Sequence, residues 1–277
     1  MPSLSQHQSN SFTKMIVLGD PGTGKTGGLT SLVKVGYKLG ILDYDNGLDV
    51  VRQYIEHECP DKIDNVFFRT LRDKYKATPA GAVVDGPATA FSDGLKMLDH
   101  WKFGAEDHGN PAEWGPDHIF VLDSLTQCSK AAYVWREQMM PRGRSGMIDP
   151  RAIYFDAQKA SELLCANLTS EAFRTNVIVI THVNYIDNED GTRKGYPNAI
   201  GKALSPIIGT YFNSIALCET RPGGKRIIRT APTSMIDLKN PAPFAMLPEY
   251  PISTGLADFF EVLRPTPVTK PVLVKRI

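Results

Sequence analysis

The sequence predicts an α/β fold in which helices flank a mainly parallel central sheet. Two apolar runs, at 118–123 and 176–182, are typical of strands buried on both faces of such a sheet, and each ends in polar residues. A shorter apolar run, Met15–Leu18, leads into a glycine-rich loop and then a helix-like pattern. Because strands alternate with helical patterns in this way, we expect parallel strands joined by helical crossovers.

The glycine-rich loop, GDPGTGKT at 19–26, matches the pattern G-x-x-x-x-G-K-[ST] at every position. Glycines let backbone N–H groups surround an anion, and the following helix adds its unpaired N-terminal donors. We expect Lys25 to reach the β- and γ-phosphates of a nucleoside triphosphate and the Thr26 hydroxyl to ligate Mg²⁺. The alternative is a chance glycine-rich turn, which the order of strand, loop and helix disfavours. The candidate nucleotide-binding residues are Gly19, Asp20, Pro21, Gly22, Thr23, Gly24, Lys25 and Thr26.

Asp123 ends the apolar run that begins at His118. Ligands bind at the carboxyl edge of parallel strands, so Asp123 is the candidate Walker-B carboxylate that holds Mg²⁺ directly or through water. The alternative is an aspartate that caps the next helix, a role that Ser124 could also fill.

His182 follows the second apolar run. A polar residue at that strand end could sense the γ-phosphate or position a water molecule. The alternative is a structural histidine, and the residues alone leave both interpretations open.

The remaining segments divide into helices, loops and turns. We expect helices at 48–57, 91–101, 126–139, 154–170 and 202–208, and loops or a small insertion at 72–87 and 103–117. Asp190-Gly191 is a hairpin-turn signal, and an antiparallel extension is expected from about 212 to 235. Residues 1–12 are expected to be disordered, 13–235 to form the core, 236–264 to cap the same domain, and 265–277 to form a basic, apolar tail.

Composition restricts the function classes. The formal net charge is only +1, so nucleic-acid contact would need a local basic patch. Four cysteines without paired spacing (Cys59, Cys128, Cys165 and Cys218) argue against a zinc site or a disulfide framework, and we interpret the last three as small core residues. No apolar run approaches the length of a membrane span, and the N-terminus has no signal-like apolar region. We expect a soluble, cytoplasmic protein without a membrane partner.

With these segments placed, the sequence resembles the RecA-type ATPase core. It looks most like the phage-encoded RecA-like ATPases associated with single-strand annealing and recombination. The resemblance covers residues 13–235 and is carried by GDPGTGKT at 19–26, HIFVLDS at 118–124 and NVIVITH at 176–182. It implies ATP and Mg²⁺ as cofactors, single-stranded DNA as a partner and self-assembly into an oligomer or filament. A single-strand-binding protein is a further implied partner, and the cytoplasm would be that of the host cell.

The resemblance also implies roles for residues outside the loop. ILDYDNGLD at 41–49 looks like the segment that carries the family's catalytic glutamate, but this sequence has Asp45 there, which is one methylene shorter. Arg142 and Arg144 match the place of the first DNA-binding loop. The second loop would supply Arg193, Lys194 and Lys202, and a cation acting in trans on a neighbour's γ-phosphate would be Lys225, Arg226 or Arg229. Ordinary surface turns and charged strand edges are the alternatives for these basic residues.

The leading hypothesis is therefore a DNA-stimulated ATPase that binds single-stranded DNA and promotes recombination or strand annealing. Its catalytic residues would be Lys25, Asp45, Asp123 and His182, with Thr26 and Asp123 as the metal ligands. Two alternatives remain. One is a nucleotide-gated loader or mediator with little hydrolysis, which Asp45 favours. The other is a RecA-fold DNA motor of the helicase or packaging type.

Overall fold

A central eight-stranded sheet organises the protein. A computed structural model describes residues 12–140, 149–187, 189–201 and 203–263. The predicted disordered N-terminus (apart from residue 12), the tail at 265–277, Arg142, Arg144 and Lys202 lie outside the described residues.

The described strands, in chain order, are β1 (Lys14–Gly19), β2 (Lys38–Asp43), β3 (Val66–Thr70), β4 (Tyr75–Thr78), β5 (Gly81–Val84), β6 (Trp101–Phe103), β7 (Glu106–Gly109), β8 (Gly115–Asp123), β9 (Thr175–Thr181), β10 (Val183–Asp187), β11 (Arg193–Pro197), β12 (Ser214–Thr220), β13 (Arg226–Arg229) and β14 (Glu249–Pro251). The main sheet has the order β14-β13-β12-β1-β9-β8-β2-β3. From β12 to β3 all neighbours pair in parallel, whereas β13 and β14 are antiparallel. The predicted fold, a mainly parallel sheet with an antiparallel C-terminal extension, is confirmed.

The described helices are α1 (Lys25–Gly28), α2 (Thr30–Lys34), α3 (Asp49–Glu58), α4 (Ala90–Asp99), α5 (Leu125–Met139), α6 (Pro150–Thr169), α7 (Ser205–Tyr211) and α8 (Gly255–Leu263). They cover both faces of the sheet, because successive side chains of a strand point to opposite faces. In β1, Ile16 and Leu18 pack toward α4–α7, whereas Met15 and Val17 pack toward α1–α3 and α8. This two-sided burial explains why the central strands consist of continuous apolar residues.

The antiparallel part of the sheet begins later than predicted. β12 pairs in parallel with β1, so the antiparallel order starts at β13 and not near residue 212. The difference follows from the connections: α7 lies between the preceding hairpin and β12, whereas a short turn at 222–225 reverses the chain between β12 and β13.

Two segments that were predicted as loops contain small hairpins. Residues 72–87 hold the β4–β5 hairpin, and residues 101–109 hold the β6–β7 hairpin. The strands β4, β5 and β7 are mostly exposed and their residues do not alternate between apolar and polar, so the sequence lacks the pattern that indicates a half-buried strand. The predicted turn at Asp190-Gly191 is confirmed, since it connects the paired strands β10 and β11.

The buried side chains include the cysteines and one lysine whose ammonium donates to backbone carbonyl oxygens. All four cysteines are buried and free, and burial raises the pKa of Cys128 and Cys218 to about 12. Lys14 is 1% exposed, and its Nζ donates hydrogen bonds to the carbonyl oxygens of Phe173 (2.6 Å) and Thr175 (2.8 Å). Burial lowers the pKa of Lys14 from 10.5 to about 7.

Among the described helices, none is long and apolar enough to cross a membrane.

Candidate nucleotide-binding site

Most of the predicted nucleotide-binding and catalytic residues meet at one cavity of about 460 Å³ at the carboxyl edge of the parallel strands. The glycine-rich loop and α1 line it, together with residues of β8, α3 and β13 and of the segments that follow β2, β9 and β14. Of the predicted residues, Pro21, Gly22, Gly24, Lys25, Thr26, Asp45, Asp123, His182 and Arg226 line the cavity.

Gly19, Asp20 and Thr23 do not line the cavity but support the loop. The Lys25 ammonium donates to the backbone oxygens of Gly19 (2.8 Å) and Asp20 (2.9 Å), and the Thr23 hydroxyl donates to the Asp20 oxygen (2.8 Å). Lys25 is 7% exposed, and burial is the main reason that its pKa is lowered. Nearby Asp123, Asp45 and Asp20 counteract this effect. The lysine is thus held at the loop by weak carbonyl acceptors that an anion can replace.

Two glycines are required by the shape of the loop. Gly24 has φ +90, and a Cβ there would lie 3.1 Å from Cδ of Arg226. At Gly19 a Cβ would lie 2.6 Å from the backbone oxygen of Cys218, which is too close for any side chain. The loop therefore fits against β12 and Arg226 only with glycine at these positions.

The metal-binding candidates are already in contact. The Thr26 hydroxyl donates to Oδ2 of Asp123 at 2.7 Å, which joins the start of α1 to the end of β8. A hydroxyl and a carboxylate are hard oxygen ligands of the kind that Mg²⁺ selects, so these residues fit the metal that the P-loop implies. If Lys25 binds the phosphates as predicted, this pair would hold the ion beside them.

Three carboxylates crowd the ends of β2 and β8. Asp123 is 1% exposed, and burial raises its pKa from 3.8 to about 7; the Thr26 hydroxyl lowers it, whereas Asp45 and Asp43 raise it further. Asp43 lies opposite Asp123 in the sheet register and accepts from the N–H groups of Asn46 and Gly47 and from the Thr70 hydroxyl. Asp43 therefore stabilises the turn that presents Asp45, a role that we did not predict although it lies only two residues from Asp45.

Asp45 is positioned by the residue that follows Asp123, the candidate Walker-B carboxylate. The Ser124 hydroxyl donates to Oδ1 of Asp45 at 2.8 Å, and the backbone N–H of Gln127 donates to the same hydroxyl. Ser124 thus caps α5, as was considered possible from the sequence, and also orients the candidate base. This leaves Oδ2 of the half-buried Asp45 for a water molecule in the cavity.

His182 is connected to α5 and to the β11–α7 segment. Its backbone N–H donates to Oγ1 of Thr126 (3.2 Å), and its Nδ1 lies 3.3 Å from the same atom. The Thr126 hydroxyl also contacts Oγ1 of Thr181 (3.0 Å) and the backbone oxygen of Asn198 (3.1 Å). Burial, with a further contribution from Lys25, lowers the pKa of His182, so the neutral ring is favoured at neutral pH.

The wall opposite Asp123 was missed from the sequence. Val50, Tyr54 and Glu58 of α3 line the cavity at a spacing of four residues, and Ile252 and Ser253 close the other side. The four-residue spacing was a signal that these side chains share one helix face. The contribution of Ile252 could not be found locally, because it depends on the pairing of β14 with β13.

The predicted basic residues lie in different surroundings. Arg226 lines the same cavity as Lys25 of its own chain, although we had predicted a cation for a neighbouring subunit. Arg229 pairs with Glu219 (3.1 Å), and Lys225 is exposed. On the β10–β11 hairpin, Arg193 pairs with Asp187 (3.6 Å) and Lys194 with Asp237 (3.1 Å).

The chain matches one family model and is similar to several solved structures. A family model described as an AAA domain matches residues 11–242. The structure of the RadB recombinase is similar at 15% identity and a TM-score of 0.40, covering 78% of this chain and 79% of that one. The ATP synthase subunit NeqB from Nanoarcheaum equitans is 12% identical, with a TM-score of 0.36 and coverage of 75% and 47%. An ATPase from the type III secretion system of pathogenic bacteria is 12% identical, with a TM-score of 0.37 and coverage of 75% and 52%. No match is found among curated protein sequences.

Proposed function

Since the chain belongs to the AAA domain family, we propose that it is a Mg²⁺-dependent ATPase that binds single-stranded DNA and promotes DNA recombination or strand annealing. One observation carries the ATPase part of this proposal. Lys25, the Thr26–Asp123 pair and Asp45 converge on one cavity, although they come from three separate segments of the chain. These are the parts that phosphoryl transfer to water needs: a cation, oxygen ligands for a metal, and a carboxylate that positions water.

Phosphate binding would use the loop and Lys25. The lysine would leave the carbonyl oxygens of Gly19 and Asp20 and bind the β- and γ-phosphates, which are stronger acceptors because they are charged. Bound Mg²⁺ would neutralise negative charge on the same phosphates. The Thr26 hydroxyl and the Asp123 carboxylate would hold the metal ion. Asp123 must be deprotonated for this task, so its raised pKa links metal binding to proton release.

Water activation would fall to Asp45. The Ser124 hydroxyl fixes one carboxylate oxygen, which leaves the other to accept a hydrogen bond from the attacking water. His182 would respond to the γ-phosphate. Its ring contacts the Thr126 hydroxyl, which in turn contacts the backbone oxygen of Asn198 outside the nucleotide cavity. Arg226 would act on the nucleotide of its own chain, because it lines the same cavity.

The DNA part of the proposal rests on the resemblance to recombination ATPases. Arg193, Lys194 and the residues Arg142, Arg144 and Lys202 remain proposed DNA contacts. The acidic partners of Arg193 and Lys194 are exposed, so phosphate groups could replace them at low cost. Self-assembly on the strand and a single-strand-binding protein as partner belong to the same proposal.

A second candidate function is supported by Asp45. An aspartate reaches one methylene less far than the glutamate of the family it resembles, and Ser124 holds it toward β8. A protein with this arrangement could bind ATP tightly and hydrolyse it slowly, and so act as a nucleotide-gated loader or mediator.

ATP hydrolysis by the wild type and by Lys25→Ala, each with and without single-stranded DNA, tests the proposal. We expect DNA to stimulate wild-type turnover several-fold and the variant to lose turnover, because it loses the cation at the phosphates. Lys96→Ala is the matched control, since Lys96 is an exposed lysine on α4 whose ion pair with Asp93 lies outside the cavity.

The outcomes separate the two candidates. Turnover that DNA stimulates supports the recombination ATPase. Tight ATP binding with negligible turnover supports the nucleotide-gated module. If Lys25→Ala matched Lys96→Ala both in ATP binding and in turnover, both candidates would be refuted, because the glycine-rich loop would then not be the nucleotide site.

A further inference from the structure

A second cavity, of about 550 Å³, lies beside the nucleotide cavity and has a different chemistry. Its walls come from the β4–β5 hairpin (Tyr75), from α5 (Lys130 and Tyr133), from the start of α6 (Tyr154) and from residues 198–201. We call it the tyrosine cleft. Its volume is within the range of about 300–1,000 Å³ that small-molecule sites have.

The tyrosine cleft exposes aromatic rings that a core would bury. Tyr75 is 60% exposed and Tyr154 is 46% exposed, and the ring centroids of Tyr154 and Tyr133 are 4.7 Å apart. Flat rings that line an open cleft, with hydroxyl groups at their edges, suit a flat ligand that stacks and accepts hydrogen bonds. The backbone of 198–201 adds peptide groups to the same wall.

The charge of the cleft favours an anionic ligand. Among the described residues that line it there is one cation, Lys130, and no carboxylate. Lys130 is exposed and forms no ion pair within the described part of the chain, in contrast to Arg193 and Lys194. Aromatic rings beside an unpaired cation are the combination that binds bases and phosphates of a single strand.

Hydrogen bonds of Thr126 connect the tyrosine cleft to the nucleotide cavity. Thr126 lines the cleft, and its hydroxyl contacts both His182, which lines the nucleotide cavity, and the backbone oxygen of Asn198, which lines the cleft. A ligand that moves residues 198–201 therefore acts on the hydrogen bonds that hold His182.

From this geometry we infer that the tyrosine cleft binds nucleobases of single-stranded nucleic acid, with Tyr75, Tyr133 and Tyr154 as stacking residues and Lys130 at the backbone phosphate. The inference rests on the proposed function and deepens it, because it assigns a site for the strand. Base contact at the cleft is transmitted to His182 through Asn198 and Thr126.

Binding of a labelled oligothymidylate, measured by fluorescence anisotropy with an abasic oligomer of the same length, tests the inference. Tyr154→Ala should weaken binding of the oligothymidylate between about fivefold and 150-fold, because stacking is worth about 1–3 kcal/mol per base. Tyr154→Phe should bind like the wild type, since it keeps the ring. Phe155→Ala is the control: Phe155 is 68% exposed on the same helix but does not line the cleft.

Comparing the two oligomers on the wild-type protein tests base contact without relying on the folding of a variant. Wild-type protein should bind it more weakly than oligothymidylate, and Tyr154→Ala should reduce that difference. Equal wild-type affinity for the two oligomers, or equal loss in Tyr154→Ala and Phe155→Ala, would overturn the tyrosine cleft as a base site while the DNA-binding ATPase stands. Wild-type protein that binds ATP but neither oligomer would overturn both the cleft and the DNA part of the proposed function.

Discussion

Replacing Asp123 by asparagine should stabilise the apoprotein and abolish its metal-dependent function. The carboxylate is 1% exposed at the end of β8, with Asp43 and Asp45 close enough to raise its pKa. Asparagine keeps a carbonyl oxygen that can accept from the Thr26 hydroxyl, but it carries no charge into the interior. Without a metal, the substitution therefore removes an unfavourable buried charge and little else.

The expected change in the free energy of unfolding follows from the shift in the pKa of Asp123. Burial raises the pKa from 3.8 to about 7, so between these values the folded protein binds a proton that the unfolded chain has lost. Stability must then fall as the pH rises through this window. A shift of about 3 pH units, at about 1.4 kcal/mol each, is worth up to about 4 kcal/mol at pH 8. Asp123→Asn should recover between about 1 and 4 kcal/mol of that loss at about pH 8, and much less at about pH 4.

Urea unfolding in the presence of a chelator, at both pH values, measures the effect. Asp117→Asn is the matched control, because Asp117 is an exposed aspartate earlier in the same strand. Added Mg²⁺ and ATP should raise the unfolding midpoint of the wild type more than that of Asp123→Asn, because the variant lacks the carboxylate that would hold the metal. A variant that is less stable than the wild type at the higher pH without metal would refute the reasoning, since Asp123 would then not be a destabilising charge.

The remaining predictions concern Asp45 and Lys14. Asp45→Asn should lower kcat for ATP hydrolysis by about 10²–10⁴-fold with little change in ATP affinity, because it removes the proton acceptor and keeps the hydrogen bond from Ser124. Asp45→Glu should raise kcat if the short aspartate side chain limits the rate. The control is Asp49→Asn at an exposed site, and an equal kcat for Asp45→Asn and Asp49→Asn would contradict the role of Asp45 as proton acceptor. Burial lowers the pKa of Lys14 from 10.5 to about 7, so the unfolded chain binds more protons in this window and stability should rise with pH by up to about 5 kcal/mol. Lys14→Met should flatten that rise in urea unfolding followed from about pH 7 to 10, and an unchanged slope would show that Lys14 is not the group responsible.

The sequence by itself determined the parts of this protein that depend on local patterns. The glycine-rich loop, the apolar runs that became β1, β8 and β9, and the helices α3, α5 and α6 all have signals within one segment. Buried parallel strands must be continuously apolar, and a phosphate loop needs glycine and lysine at fixed positions. The fold class and the nucleotide-binding loop were therefore predictable from the sequence.

Only the tertiary structure decided which segments meet. Ser124 contacts Asp45 across 79 residues of sequence, and Thr26 contacts Asp123 across 97. Arg226 and Ile252 reach the same cavity only because β13 and β14 extend the sheet beside the loop. The tyrosine cleft likewise combines β4, α5, α6 and residues 198–201. Such contacts depend on the register and crossover of whole elements, and no short stretch of sequence carries that information.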